Sequence, residues 1–330
     1  MRQILWLKFP LFVKWYITGK CNIRCEHCYL TDYSGQGDLA NVLRFIDYFG
    51  QKKIRLISLL GGEPLVRDDL ESIIERIVAN KIDLKITTNA ILATKERAKS
   101  LYTAGARAFQ VSLEGPDPSS NDAVRGKNTF QRAVEGTLNL KSAGGALVLA
   151  FTITAKNFQL VPKMFSLANE LGAGKIRIMA FAPVGTGEKH KDELLLNREV
   201  TLHVRAQLKS LAKQFPHLLI DSPFILPEEE SCGGCPSSST LGCGAGTSTL
   251  IMNNNLSISA CDLLTEEDRT SVKVDKPEDI EKIWLEDRLF LKWRGLSEDS
   301  TTRTIQSFSD VHQHGCHVVN QTYRENIFRA

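Results

Sequence analysis

The chain has 330 residues, 42% of them hydrophobic and 24% charged, with a formal charge of +3. That length predicts one large domain plus a smaller one, and the composition supplies enough apolar material for a sizeable core. The weak, dispersed charge argues against a nucleic-acid partner or an anionic membrane surface, and no stretch approaches the ~20 apolar residues that span a bilayer. The opening run Ile4-Leu5-Trp6-Leu7 is interrupted by Lys8, Pro10 and Lys14 with no small-residue cleavage site behind it, so it does not read as a signal peptide. A cytoplasmic location is the expectation. There the eight cysteines read as metal ligands or reactive thiols rather than disulfides.

In chain order, Phe12 to Thr18 predicts a first strand that runs into Cys21-Asn22-Ile23-Arg24-Cys25-Glu26-His27-Cys28. A helix over 39–49 follows, with Val42, Leu43, Ile46 and Phe49 at helical spacing. The second strand, 54–60, ends in Gly61-Gly62-Glu63-Pro64. Asp68 or Asp69 is the expected N-cap of a helix whose buried face is Leu70, Ile73, Ile74 and Ile77. The pattern repeats through a strand over 83–88, a helix over 94–104 stopped by Gly105, a strand over 108–113, a loop with Gly115-Pro116 and a helix over 130–142. It ends with a strand over 147–154, a helix over 160–171 and a strand over 175–181.

Strand-then-helix units in this number predict an α/β fold, a parallel sheet closing by right-handed crossovers into a partial (β/α)6 TIM-like barrel. A flat doubly wound sheet is the alternative, but the first turn lacks the Gly-x-Gly-x-x-Gly run of a dinucleotide site. Ligands in such folds meet the carboxyl ends of the strands. The cysteine loop, Gly61 to Pro64, Thr87-Thr88-Asn89 and Ser112-Leu113-Glu114 are all predicted to lie at such ends, around one mouth.

After Leu196 the composition shifts. A long helix over 197–214 precedes Pro216, Pro223 and Pro227, then Cys232-Gly233-Gly234-Cys235 and Cys243. Strands over 249–252 and 256–259 flank the turn Asn253-Asn254-Asn255, Cys261 follows, a helix spans 277–288, and Cys316 lies near the end. The expected division is residues 1–220 for the barrel with its linking helix, and 221–330 for a small cysteine-rich α+β domain.

Three thiols within eight residues can hold three corners of a metal cluster and leave the fourth without a local protein ligand. On spacing alone a zinc site, with His27 or a distant group as fourth ligand, stands beside an iron–sulfur cluster. His27 abuts Cys28 and is poorly placed to face the same metal. Lys175 and Arg177 put charge on the sixth strand, either inward toward a cofactor carboxylate or at the strand end. The His312, His314 and His317 set reads as a polar loop, and Glu228-Glu229-Glu230 as a solvated face.

Cys21, Cys25 and Cys28, spaced C-x3-C-x2-C after the first strand with His27 in the aromatic position, resemble the signature of the radical S-adenosylmethionine (SAM) superfamily. Gly61 to Pro64, Thr87-Thr88-Asn89, Ser112 to Gly115 and Val124-Arg125-Gly126 with Phe130 extend the resemblance over roughly the first 185 residues, to Ala182-Pro183-Val184-Gly185. It implies a [4Fe–4S] cluster on Cys21, Cys25 and Cys28 whose fourth iron is chelated by SAM. The implied cofactor contacts are Gly61, Gly62, Glu63, Pro64, His27, Asn89, Ser112 and Glu114. Glu63, beside two glycines, is able to approach an ammonium group closely. The expected activity is reductive cleavage of SAM to a 5′-deoxyadenosyl radical that abstracts hydrogen from a substrate, with electrons from a flavodoxin- or ferredoxin-type donor.

The later cysteines, with the hairpin between Cys243 and Cys261, Ile283-Trp284, and His314-Gly315-Cys316, resemble the SPASM/twitch extension of that superfamily. This implies one auxiliary [4Fe–4S] cluster on Cys235 or Cys232, then Cys243, Cys261 and Cys316, and two clusters in total. No cysteine lies between Cys261 and Cys316, so ligands for a further cluster are lacking. The leftover thiol of Cys232 and Cys235 is either silent or a hydrogen donor to a substrate radical. A zinc-ribbon-like site or spare core thiols are the other reading of these cysteines. The resemblance favours a peptide or protein substrate, altered by cross-linking, oxidation or epimerisation. The alternatives are a dehydrogenase or epimerase of a small molecule such as an aminoglycoside, and a zinc-binding structural protein. The first strand begins almost at once, so no separate leader-binding domain is expected before it.

Overall fold

The structure, a computed structural model, describes residues 7–222, 224, 244–262 and 271–294. Its framework alternates β1 (Phe12–Tyr16), α1 (Leu39–Gln51), β2 (Leu56–Leu60), α2 (Leu70–Ala79), β3 (Asp83–Thr88), α3 (Lys95–Ala104) and β4 (Ala108–Ser112). There follow α4 (Pro118–Arg125), α5 (Phe130–Ser142), β5 (Ala146–Ile153), α6 (Val161–Glu170), β6 (Lys175–Ala180), α7 (Lys191–Leu194), α8 (Arg198–Gln214) and β7 (Leu219–Asp221). The later described elements are β8 (Thr249–Met252), β9 (Ser257–Ser259), β10 (Val272–Lys273), α9 (Asp279–Glu286) and α10 (Arg288–Trp293).

Among the described residues one sheet holds all ten strands, in the order β10-β9-β8-β1-β2-β3-β4-β5-β6-β7. From β8 through β7 every pairing is parallel, and β8–β9 and β9–β10 are antiparallel. The expected α/β architecture of six consecutive parallel strands is present. The hairpin of β8 and β9 extends the same sheet, because Thr249 to Met252 run beside Phe12 to Trp15.

Alternation along each strand sorts the two faces. Val13 and Trp15 of β1 are buried toward the helices, where Trp15 meets Phe45 and Phe49 of α1 edge-on at 6.3 and 5.8 Å. Such aromatic pairs add ~0.5–1.5 kcal/mol each beyond the area they bury. Ile57 and Leu59, Leu84 and Ile86, Phe109 and Val111, Leu149 and Phe151, and Ile176 and Ile178 continue this helix-facing core. The residues between them face the concave side.

Local chemistry fixes the helix ends. Asp38, Thr94 and Asn197 accept from backbone N–H groups of α1, α3 and α8, and Gly105 ends α3 at φ 116°. Asp69 precedes α2 as expected, but its carboxylate does not cap the helix. The buried guanidinium of Arg67 takes it in two bonds of 2.8 Å and also donates to the carbonyls of Ile17 and Gly37, closing the base of the loop after β1. The predicted loop around Gly115-Pro116 contains α4, started by Asp117 as cap and Pro118 in the first turn. At the far end Trp284 of α9 is buried and donates Nε1 to the Leu7 carbonyl at 2.9 Å. Arg294 lies 4.4 Å over its ring.

Candidate functional site

The loop between β1 and α1 carries Cys21, Cys25 and Cys28, all half-buried. Its base is pinned by the Gly19 N–H to the Gly35 carbonyl at 2.9 Å. Arg24 donates to the Cys21 and Ile23 carbonyls and stacks 4.0 Å from the Tyr33 ring centroid. Two backbone bonds dock the loop on the barrel: Glu26 N–H to the Val124 carbonyl at 2.9 Å, and Gly187 N–H to the Cys28 carbonyl at 3.0 Å. The thiols are therefore set by α4 and by the segment after β6 as well as by their own loop.

Burial pushes the Cys25 thiol up to about 12, with Arg125 acting against it and the neighbouring cysteines adding to it. Cys21 is also pushed up, again chiefly by burial. The thiols feel one another electrostatically. Yet among the described residues no set of His, Cys, Asp or Glu side chains converges on a point that would hold a single metal ion.

Gly61 and Gly62 follow β2 against the loop backbone. A Cβ on Gly61 would meet the Thr18 carbonyl at 2.4 Å, and one on Gly62 the Lys20 and Gly19 carbonyls at 2.3 and 2.4 Å. The N–H groups of Gly62 and Glu63 donate to the Thr18 and Lys20 carbonyls, each at 2.8 Å. Pro64 opens a single turn, Pro64–Val66. The Glu63 carboxylate is buried and accepts from Leu65 N–H (3.0 Å), Thr88 Oγ1 (2.6 Å) and Asn89 N–H (2.7 Å). Burial raises its pKa and these donors oppose the rise. In this arrangement Glu63 brackets the ends of β2 and β3, with its oxygens already engaged. Asn89 in turn donates Nδ2 to Asn22 Oδ1 at 2.8 Å, tying β3 to the cysteine loop.

A second buried carboxylate, Glu114, stands after β4. It accepts from Thr152 N–H at 2.7 Å and from Arg125 at 3.1 Å, and His27 Nε2 lies 3.3 Å away. Burial acts to raise its pKa, but His27, Arg125 and the Thr152 amide outweigh it and hold the carboxyl below the usual range. His27 Nδ1 is buried and has no hydrogen-bond partner among the described residues. Ser112 ends β4 on the concave face, half-buried. Asn89 and Gly61 to Glu63 thus touch the cysteine loop directly, Glu114 meets it through His27, and Ser112 and Pro64 stand at the ends of β4 and β2.

Arg125, quoted in the sequence reading only as part of Val124-Arg125-Gly126 and given no site role there, joins these residues. It is buried, paired with Glu114, and within electrostatic reach of Cys25, Cys21 and Glu63. The cap-and-proline start of α4 was the signal that would have placed it.

Of the later cysteines, Cys261 is described. It is buried beside Ala182 and Val184, with Tyr29 of the cysteine loop and Ala245 packed on the same cluster. Asp262, next to it, accepts from Lys14 Nζ at 3.1 Å and Tyr16 Oη at 3.0 Å. Cys232, Cys235, Cys243 and Cys316 lie outside the described residues.

The site thus combines a parallel strand-and-helix sheet, three thiols in its first loop and a glycine-lined strand end pressed against that loop. Residues 15–159 match the family model described as the Radical SAM superfamily. The chain is 31% identical over 194 residues to the mycofactocin maturase MftC of Mycolicibacterium smegmatis, covering 57% of this chain and 49% of that one. It is 30% identical over 186 residues to the pre-heme d1 synthase of Dinoroseobacter shibae, covering 55% and 46%. The chain thus spans about half the length of the relatives it matches. In fold it resembles Streptococcus suis SuiB bound to precursor peptide SuiA, with a TM-score of 0.76 and 18% identity over 98% of this chain and 76% of that one. It also resembles native anSMEcpe with bound AdoMet, with a TM-score of 0.73 and 14% identity over 97% and 93%.

Proposed function

We propose that the chain is a radical SAM enzyme that modifies a peptide or protein, working in the cytoplasm with a flavodoxin- or ferredoxin-type electron donor. The observation that carries this is the set of three loop thiols docked over the carboxyl ends of β1 to β3, beside the glycine-lined strand end. Cys21, Cys25 and Cys28 would hold a [4Fe–4S] cluster, with SAM lying among Gly61 to Pro64, His27, Asn89, Ser112 and Glu114. When bound and reduced, this pair supplies a 5′-deoxyadenosyl radical that abstracts hydrogen from the substrate.

The chain's own residues set the frame for that chemistry. Arg125 offsets thiolate charge, Glu63 locks two strand ends, and the Val124 and Gly187 backbones hold the loop in place. A peptide substrate is supported by likeness over nearly the whole chain to a fold whose solved example carries a precursor peptide, and by the maturase relative. The reaction on it is a cross-link, an oxidation or an epimerisation. The heme-pathway relative supports a second reading, a small-molecule substrate.

In the first reading, residues 1–220 form the barrel unit and residues 221–330 hold one auxiliary [4Fe–4S] cluster on Cys235 or Cys232, Cys243, Cys261 and Cys316. The position of Cys261 against Tyr29 supports an auxiliary group near the main loop.

Anaerobic purification should give about eight irons per chain, from two four-iron clusters. Reduction should release 5′-deoxyadenosine. Replacing Cys21, Cys25 and Cys28 together by alanine should remove about half of the iron and all of that product. A colourless protein with bound zinc overturns the reading. Replacing Cys232 and Cys235 singly tests for a hydrogen donor: one variant should keep its iron, still form 5′-deoxyadenosine and fail to give normal product.

A further inference from the structure

The concave face of the sheet is cationic. Lys14 on β1, Lys85 on β3, and Lys175 and Arg177 on β6 alternate with the helix-facing Val13, Trp15, Leu84, Ile86, Ile176 and Ile178, so all four charges face the lumen. They feel one another across it: Arg177, Lys14 and Lys175 all act on Lys85, and Arg177 also acts on Lys14. The carboxylates near them are already engaged. Asp262 takes Lys14 at 3.1 Å; Asp221 takes Lys175 at 3.1 Å and stands 3.9 Å from Arg177 Nε.

Lys85 has no carboxylate partner among the described residues. Its ammonium, with three donors, meets the neutral Gln110 Oε1 at 3.3 Å, and Gln110 is itself buried. A desolvated cation in that state is costly unless an anion joins it. Water reaches the lumen, since the Lys14, Lys175 and Arg177 side chains keep 37%, 28% and 34% of their surface exposed.

We propose that the barrel lumen seats a carboxylate of the substrate, an aspartate or glutamate side chain of the peptide, against Lys85 with Arg177 beside it. The proposal rests on the peptide-modifying reading and adds the chemistry by which the peptide is held. Lys85 lies three residues before Thr88, the β3 residue bound to Glu63, so the seat is roughly 10 Å below the strand ends at the usual rise per residue. That depth separates it from the residues proposed to surround SAM. Burial holds the Lys85 ammonium down at about 8, with Arg177, Lys14 and Lys175 pushing the same way and Asp221 opposing them, as befits a cation waiting for its counter-ion.

The probe is N-acetyl-L-glutamate α-amide, with N-acetyl-L-glutamine amide as its neutral counterpart. Each is titrated calorimetrically into the anaerobic, cluster-loaded protein without reductant. The wild type should bind the charged probe and discriminate against the neutral one. Lys85→Met should weaken the charged probe at least about thirtyfold, the loss expected when one partner of a buried charge pair is truncated. Lys85→Arg should retain binding, and SAM affinity should be the same in all three proteins. Equal binding of the two probes, or unchanged binding by Lys85→Met, overturns the proposal. So does a Lys85→Met variant that loses SAM instead of the probe, because the cation would then serve the cofactor carboxylate. No turnover is needed, so failure of the radical reading, seen as missing iron and missing 5′-deoxyadenosine, remains distinguishable from failure of this one.

Discussion

Replacing Lys85 by methionine should make the fold more stable at neutral pH, an unusual direction for a substitution inside a barrel. The ammonium is mostly desolvated, meets one neutral acceptor, and is held at about 8 against an ordinary 10.5. At ~1.4 kcal/mol per unit, that displacement corresponds to about 3 kcal/mol of cost in the charged folded state, and solvent reaching the lumen reduces it to about 2 kcal/mol. Because the folded-state value lies below the unfolded one, the unfolded chain binds more protons between about 8 and 10.5. The cost is therefore fully present below about pH 8 and fades as the pH rises toward 10.5. Methionine matches the length of the stem and leaves no charge to desolvate. Urea unfolding of wild type and variant at equal cluster loading, followed by far-ultraviolet circular dichroism at pH 7 and pH 10, measures the difference. A variant less stable than wild type at pH 7, or a gain that does not shrink at pH 10, refutes the reasoning.

Arg125→Gln should destabilise the protein by about 3 kcal/mol in the same assay, since it leaves the Glu114 carboxylate buried with a weakened set of partners; a loss under ~1 kcal/mol counts against a structural pair. Gly62→Ala should lower iron content with little change in helix signal, because the new Cβ would overlap the Lys20 and Gly19 carbonyls and displace the loop that bears the thiols; full iron loading would show that the close approach does not matter. Trp284→Ala should cost about 3–5 kcal/mol, from a fully buried indole that also binds the Leu7 carbonyl, and a smaller urea-midpoint shift would show that the site collapses around the gap.

The framework was legible because each strand repeats the same physical pattern. β3 at Asp83–Thr88 and α5 at Phe130–Ser142 lie where alternation and helical spacing placed them. One miss was local, and the others occurred where distant partners decide the outcome. α4 was taken for loop because Gly115 and Pro116 draw attention from Asp117 and Pro118, which begin a helix. β7 is three residues long with Leu219 largely exposed, and only its pairing with β6 makes it a strand. Glu63 stood out in the sequence, but two of its three donors, Thr88 and Asn89, come from the end of β3, and no local spacing reveals that its oxygens are already engaged. Asp262 gave no signal because Lys14 and Tyr16, the groups it binds, belong to the first strand. Lys85 reads as one polar residue in an alternating strand until the lumen is assembled.

β1 bonds to β2 on one side and to β8 on the other, and Lys14 at its centre stands 248 residues from its partner Asp262. On a ribosome adding ~5–20 residues per second, that interval lasts roughly 10–50 s. Through that interval the strand that launches the cysteine loop has an open hydrogen-bonding edge, the kind of edge that recruits other chains. The nascent barrel is thus exposed to mispairing for most of its synthesis. A chaperone that shields the β1 edge until the hairpin arrives, or iron delivery timed after that closure, would decide how much of the chain matures.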